Sequence, residues 1–598
     1  MKVISNNEVT SNIEGESLTI KNNNNLYSFN YVRNTAITKI IFISCQNIDY
    51  SCIPENIVDI KFESCGIESF ENIQLKDTVK SLNLRQNNIN NLSKIENYTH
   101  LTQLFLGGNQ ITDLTPLTNI QQLQKLYLWE NRINNITPLA KMKLLSMLHL
   151  GQNQINDISP LQGLTKLQEL YLFENRITDI SPLLSMIQLQ ILILNDNMIC
   201  DIQSLKYMFK LQSLGLCRNL INDISVFKFL KNLEKIYLDK NSITNITSLK
   251  YLKLLKLFVI SGNAIHNINP LKRLTNLEVL DISCNNVINI KALTKLTKLQ
   301  TLFINENNIQ TISPLVNMKN LKILSIRQNE VQDISFLKQM NQLTHLFLSR
   351  NKIYDVSVLK QLRQLQYLYM SEIKSTNCNC VKYLSNLEYL YLSNQQISNL
   401  SSIFKPNIKQ FMHLMELNLD SNNISNISHL SKLISLQKLS LQNNNINDIS
   451  PLKHLTYLVQ LYLQSNQIID LNPLNHIHTL KTLDISDNKI CDISNLHIQD
   501  LVPNLNYLIK EQQKLEFGIQ MEPTKQHLLI SLRMKHRFIQ NETIDLMRIK
   551  YNQIQSKYNQ FVQNIKKNIN NVIPNHIQFA TNAVELFQKL SQEEQQLQ

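Results

Sequence analysis

Residues 167–187 read LQELYLFENRITDISPLLSMI, and each recurring letter has a physical assignment. Leu170 and Leu172 alternate with Tyr171 and Phe173, the period of two that marks a short strand with one face buried. Ile177, Ile180 and Leu183 follow in the turns that close a coil, and with the two leucines they are expected to point inward. Asn175 stands where the strand ends and the chain must turn. Its amide donates and accepts, so it can satisfy backbone groups that the turn leaves unpaired, in its own coil and in its neighbour. The segment Asp179-Ile-Ser181-Pro182-Leu183 reads as a helix start, with Asp or Ser as cap and Pro at a position where its missing N–H costs nothing.

Steps of 22 residues outward from Asn175 meet the same letter without a slip, at Asn87, Asn109, Asn131, Asn153, Asn197, Asn219, Asn241, Asn263, Asn285, Asn307, Asn329 and Asn351. Cys65 lies one step earlier, and Ile373 and Gln395 lie one and two steps later. After five extra residues the series resumes at Asn422, Asn444, Asn466 and Asn488. Twenty units are thus in phase and 17 of them carry the asparagine. A fixed period of this size predicts a solenoid, in which each unit buries its apolar face only by stacking on the next. The fold class is α/β: a concave parallel sheet, on the order of 95 Å along its arc, backed by short 3₁₀ or helical segments on the convex side.

The same frame divides the chain. Residues 1–40 form an N-terminal segment with degenerate capping units, in which Leu18-Thr-Ile20 repeats the frame loosely. Residues 41–510 form the solenoid, with about 20 to 22 repeats and an irregular stretch at 371–410, where Ser371 to Cys380 departs from the frame; a bulge or kink of the solenoid and simple drift in a tolerant repeat are the two readings of it. Around Leu505 the repeat ends, with Leu501, Leu505 and Leu508 closing the last coil. Residues 511–598 read as a basic amphipathic all-α tail. Ile544, Met547, Tyr551, Ile554, Tyr558, Phe561 and Ile565 form an a/d seam over three heptads, and Pro574 separates it from a second amphipathic segment. The pattern suits a helical hairpin or a coiled coil, and the seam at 544–565 offers itself to a helix partner or to self-association. Residues 524–571 hold nine Lys or Arg against two Asp or Glu, a net +7 of the chain's +13.

The repeats resemble the 22-residue class of leucine-rich repeats. Two families share the wording: the internalins, with their N-x-I-x-D-I-S-P-L segments, and the leucine-rich regulatory subunit of protein phosphatase 1. The resemblance covers residues 40–510 and implies the solenoid fold. The phosphatase regulator holds its catalytic subunit on a concave face of acidic and aromatic residues, which makes a similar regulatory role the alternative function here. That family has about half as many repeats and a short cap. No cell-wall anchoring motif or all-β segment follows the repeats, so the adhesin role of internalins is not implied.

On the concave strands, counting back four residues from each rung gives the central outward column. It holds Phe105, Tyr127, His149, Tyr171, Tyr237, Phe303, Phe347, Tyr369 and Tyr391 among its members; nine of its 19 residues are Phe or Tyr, whereas aromatics make up 7% of the chain. Counting back two adds Trp129, the chain's single tryptophan, and Phe173, with Gly107 and Gly151 expected to leave notches that corrugate the patch. Glu130 and Glu174 flank it in the matched segments YLWEN and YLFEN. Aromatics grouped within a charged rim are the composition of a protein-binding hot spot. The plainer reading is that aromatics suit strands and cover the leucines beside them.

Nothing in the sequence spells out catalysis. P-loop, nucleophile-elbow, zinc-protease and kinase motifs do not occur, so the chain is expected to be no enzyme and to need no cofactor, metal or small-molecule substrate. Nine cysteines are scattered, and the one cluster, Cys378 and Cys380, has no second pair to complete a metal site; on a strand both side chains would point the same way. The N-terminus has no signal peptide and no apolar run is long enough to span a membrane, which predicts a cytoplasmic or nuclear protein. The partner is expected to be a protein; nucleic acid is not favoured, because the basic tail carries no recognised binding motif, although tail-mediated contact with nucleic acid or an anionic membrane is a further alternative.

Overall fold

The structure, a computed structural model, describes residues 10–14, 17–21 and 37–490, apart from 47, 49, 51, 52, 72, 376 and 405–410. Over these residues the chain makes one sheet of 23 strands. The first, Thr10–Glu14, pairs antiparallel with Ser17–Lys21; the other 22 run parallel in sequence order, so the architecture is an open leucine-rich-repeat solenoid. The expected tail over 511–598 and the closing leucines Leu501, Leu505 and Leu508 lie outside the described residues.

A unit owes its shape to the pattern read above. Glu169–Tyr171 is the strand, and Leu170 and Leu172 are fully buried beneath it with Ile177, Leu183, Met186 and Leu189. Each coil supplies a complete inner layer, so the core is a column of leucine and isoleucine rather than a globule. The 3₁₀ helix Ser181–Ser185 lies on the far side with Pro182 in its first turn. Its start is fixed two residues upstream: Asp179 Oδ1 accepts from the Ser181 N–H at 2.7 Å and Asp179 Oδ2 from the Ser181 hydroxyl at 2.8 Å. This Asx turn recurs at Asp157, Asp223, Asp333, Asp355 and Asp448, a second polar column parallel to the rungs.

A typical asparagine rung is a four-bonded amide. Asn153 Nδ2 donates to the carbonyls of Leu150 and Gly151 in its own turn and of Leu128 in the coil before, while its Oδ1 accepts from the Ile133 N–H at 3.0 Å. The residue before each rung takes a left-handed backbone, as in Glu130 at φ 53°, Glu174 at 52° and Gly108 at 69°. The turn is therefore stabilised by the asparagine against a local backbone cost.

The irregular stretch keeps its strand pairing. The strands Tyr367–Tyr369 and Tyr389–Tyr391 pair in full register with each other and with Glu416–Asn418, so the pairing passes through without a bulge. The irregularity is chemical. Ile373 occupies a rung and cannot accept a hydrogen bond; Gln395 occupies the next, donates to the Met370 carbonyl at 2.9 Å, and leaves its Oε1 buried without a partner. Asn422 restores the pattern across the insertion, accepting from the N–H groups of Gln395 and Ile397. Cys378 and Cys380 are not on a strand: they stand at the start of the 3₁₀ helix Asn379–Tyr383, both buried, and burial pushes both thiols up to about 12. Low-dielectric packing without a stabilising charge suits small core residues, not reactive thiolates.

Candidate binding face

Parallel register places equivalent residues of successive repeats side by side, about 4.8 Å apart, so outward aromatics in one column must meet. Phe105 faces Tyr127, Tyr127 faces His149 and His149 faces Tyr171 across paired strands. Phe105 and Tyr127 stack with ring centroids 4.5 Å apart, and His149 and Tyr171 stack at 4.9 Å. His149 is the hub, because Tyr127, Trp129 and Phe173 also lie within 6.5 Å of it. The Arg85 guanidinium closes one end, 4.9 Å from the Phe105 ring and 5.5 Å from that of Tyr127. All six rings are half-buried, each showing part of itself to solvent.

The glycines do not leave notches. A Cβ on Gly107 would lie 2.2 Å from Trp129 Nε1, and one on Gly151 would lie 2.7 Å from Phe173 Cε1. Each glycine is covered by the large ring of the following repeat, so the patch is a filled surface rather than a corrugated one. Trp129 and Phe173 lie flat because only glycine permits that approach.

The electrostatics of the cluster follow from its burial. His149 is held down at about 4, by burial first and the Arg85 charge second. Its Nδ1 accepts from the Gly151 N–H at 3.3 Å, which requires the neutral ring. Burial raises the Tyr171 phenol well above its usual range, reinforced by the hydrogen bond it donates to Glu169 at 2.9 Å. At neutral pH the patch is an uncharged aromatic surface, with Arg85 at one end and the exposed carboxylates of Glu130 and Glu174 beside it; Gln152 donates to Glu174 at 3.2 Å.

A second aromatic field lies further along the sheet. Phe347, Tyr369 and Tyr391 form one row, with centroids 4.8 and 4.0 Å apart, the first pair tilted by 41° and the second stacked. Beside it runs another, His345, Tyr367 and Tyr389, at 4.1 and 4.3 Å. The sequence reading missed this second stack, because these residues lie six places before the rungs and only the columns at four and two were counted. The other two column members stand apart: Tyr237 has Gly215 and Val259 as neighbours, and Phe303 has Asp281 and Ser325.

Family models for leucine-rich repeats match residues 121–177, 165–207 and 297–339. An internalin of Listeria monocytogenes is 36% identical over 47% of this chain and 84% of its own, with a TM-score of 0.46. The chain belongs to the leucine-rich-repeat family. Its repeats resemble those of internalins. A leucine-rich-repeat protein of Leptospira interrogans shares the fold at 24% identity, covering 62% of this chain and 97% of its own with a TM-score of 0.54. So does a plant peptide hormone receptor solved with its hormone, at 18% identity, 80% and 82% coverage and a TM-score of 0.54. No curated protein matches the sequence. Among the described residues of this leucine-rich-repeat protein no group of His, Cys, Asp or Glu is arranged to hold a metal ion, and no helix is long and apolar enough to cross a membrane.

Proposed function

We propose that the chain is a non-catalytic scaffold that captures a protein on the sheet face, with the His149-centred cluster as the anchor. The observation that carries this reading is the six-ring cluster itself: Phe105, Tyr127, Trp129, His149, Tyr171 and Phe173 from four successive repeats, each half-exposed and in mutual contact. Rigid aromatic rings lose little entropy on binding and bury large areas, which is why such groups dominate interface energies. An open sheet offers no water-excluding pocket for chemistry but suits a broad partner surface. The plant receptor of the same fold, solved with its peptide hormone, is consistent with capture of a polypeptide.

Glu130 and Glu174 beside Trp129 and Phe173 keep the phosphatase-regulator reading as the finer alternative. Capture of partners by the full chain, compared with the Trp129→Ala/Phe173→Ala variant, tests both. Partners retained only by the wild type support the scaffold reading; a protein phosphatase 1 catalytic subunit among them selects the regulatory one. An unchanged partner set rejects the sheet-face anchor.

A further inference from the structure

The largest exposed apolar side chains are not on the sheet face. Five of them, Tyr207, Phe209, Phe229, Tyr251 and Leu254, stand on the opposite side of three consecutive repeats and are each at least 43% exposed. They belong to the 3₁₀ helices Gln203–Tyr207, Ser225–Phe229 and Thr247–Tyr251 and the turns after them. The turns are stacked: Asn232 donates to the Phe209 carbonyl at 2.7 Å, and Ser248 to that of Ile224 at 2.8 Å. The repeats thus build one ridge rather than three separate bumps.

Every aromatic that ends one of these helices has a lysine folded over it. The ammonium groups of Lys206, Lys228 and Lys250 lie 4.7, 5.0 and 5.1 Å from the rings of Tyr207, Phe229 and Tyr251. Residues 204–211, 226–233 and 248–255 contain six lysines and no acidic residue. Nearby carboxylates are engaged elsewhere: Asp201 and Asp223 accept from the backbone N–H groups of Gln203 and Ser225, and Glu234 pairs with Lys256 at 2.8 Å. The ridge is therefore cationic and apolar at once.

We propose that this ridge, spanning residues 203–254, docks on an anionic phospholipid surface. The side chains project from short turns, Tyr207 and Phe209 as an edge-to-face pair with centroids 6.4 Å apart, instead of lining a groove. A protein partner's anchors need a complementary pocket to be fully desolvated; a fluid headgroup layer needs only protruding rings and cations, with Tyr, Phe and Leu entering the boundary and Lys reaching the phosphates. The chain's own tail is a poor occupant by charge, since residues 524–571 are themselves net +7.

The test is co-sedimentation of the full-length chain with vesicles of phosphatidylcholine alone or with 30% phosphatidylserine. Variants are Lys206→Glu/Lys228→Glu/Lys250→Glu and Phe209→Ser/Phe229→Ser/Tyr251→Ser, with circular dichroism to confirm folding. Binding that depends on phosphatidylserine and falls on the order of 100-fold in the charge-reversed variant is expected, with a loss in the serine variant as well. Failure to bind, or binding unchanged by both variants, overturns the proposal, the latter moving the contact to another basic segment. Ridge-dependent binding to soluble polyglutamate or to single-stranded RNA without vesicle binding overturns it in favour of an acidic protein or a nucleic acid. Loss of a protein partner in Trp129→Ala/Phe173→Ala leaves vesicle binding intact, so the two proposals fail separately.

Discussion

The two aromatic fields of the sheet, residues 105–173 and 345–391, occupy the same scaffold yet differ in how their rings meet. In the second, rings form two separate rows along the solenoid, and among the described residues each ring meets only the ring of its counterpart one repeat away. In the first, His149 joins two columns, and Trp129 and Phe173 spread over Gly107 and Gly151. The first also rests on intact rungs, whereas the second lies partly over Ile373 and Gln395, two of the three rungs that lack the asparagine. Register alone produces stacks; a continuous patch needs glycine in the adjoining column so that a large ring can turn across it.

If the crossing of columns is what makes an anchor, the largest effect falls on the first field. Trp129→Ala/Phe173→Ala is expected to weaken partner binding by about 2 kcal/mol or more, roughly 30-fold, as central aromatics do, while Tyr369→Ala/Tyr391→Ala leaves it within threefold. Isothermal titration with the captured partner reads both, and equal losses would erase the distinction between the fields.

The rungs beneath the fields give a reciprocal exchange. Asn153→Gln, in an intact rung, displaces an amide with four hydrogen bonds and is expected to cost about 1–3 kcal/mol. Gln395→Asn removes the buried unpaired Oε1 and is expected to stabilise by about 1 kcal/mol. Urea denaturation measures the pair of opposite signs; the same sign for both would mean that the rung chemistry does not set local stability.

Much of this was legible from the spacing. The rung period gave the strands, the inward leucines and the outward column at four, because a 22-residue unit leaves each letter one place to go. The flat seating of Trp129 was not legible, since it depends on the space above Gly107 in the preceding coil. Tyr367 and Tyr389 were readable and were overlooked, as the strand exposes a residue six before the rung as well as four. Strand pairing continues past Ser371 for a physical reason: backbone pairing of the strands outlasts the loss of a side-chain rung.

The two histidines separate the fields by pH. His149 is held at about 4 by burial and then by Arg85; His345 is lowered by burial, with Glu388 pulling the other way. A histidine depressed in the folded state binds its proton first in the unfolded chain, so stability is complete above about 6.5 and is lost as pH falls toward 4. Around His149 stand the Arg85 guanidinium, the rings of Trp129 and Phe173, and Tyr127 and Tyr171, whose phenols burial raises further from this range. His149→Phe is therefore expected to gain stability relative to wild type between pH 7 and pH 5, and His345→Phe to gain less. Thermal midpoints at the two pH values show it, and a larger gain at position 345 would contradict the burial argument.

The smallest effect tests whether the charged rim belongs to the anchor. Glu174 and Glu372 take the same left-handed backbone before their rungs, at φ 52° and 55°. Glycine at either position relieves the crowding of the Cβ but frees the unfolded chain, a net stabilisation of about 0.5–1 kcal/mol at most. Glu372 also pairs with Arg350 at 3.1 Å, an exposed contact worth little. The two substitutions thus act almost alike on the fold. Only Glu174 borders Phe173, so Glu174→Gly is expected to weaken partner binding a few-fold while raising stability, whereas Glu372→Gly changes stability alone. A substitution that strengthens the fold and weakens the contact cannot be explained by unfolding, and binding unchanged in Glu174→Gly would reduce the carboxylate to a solvated edge of an otherwise uncharged patch.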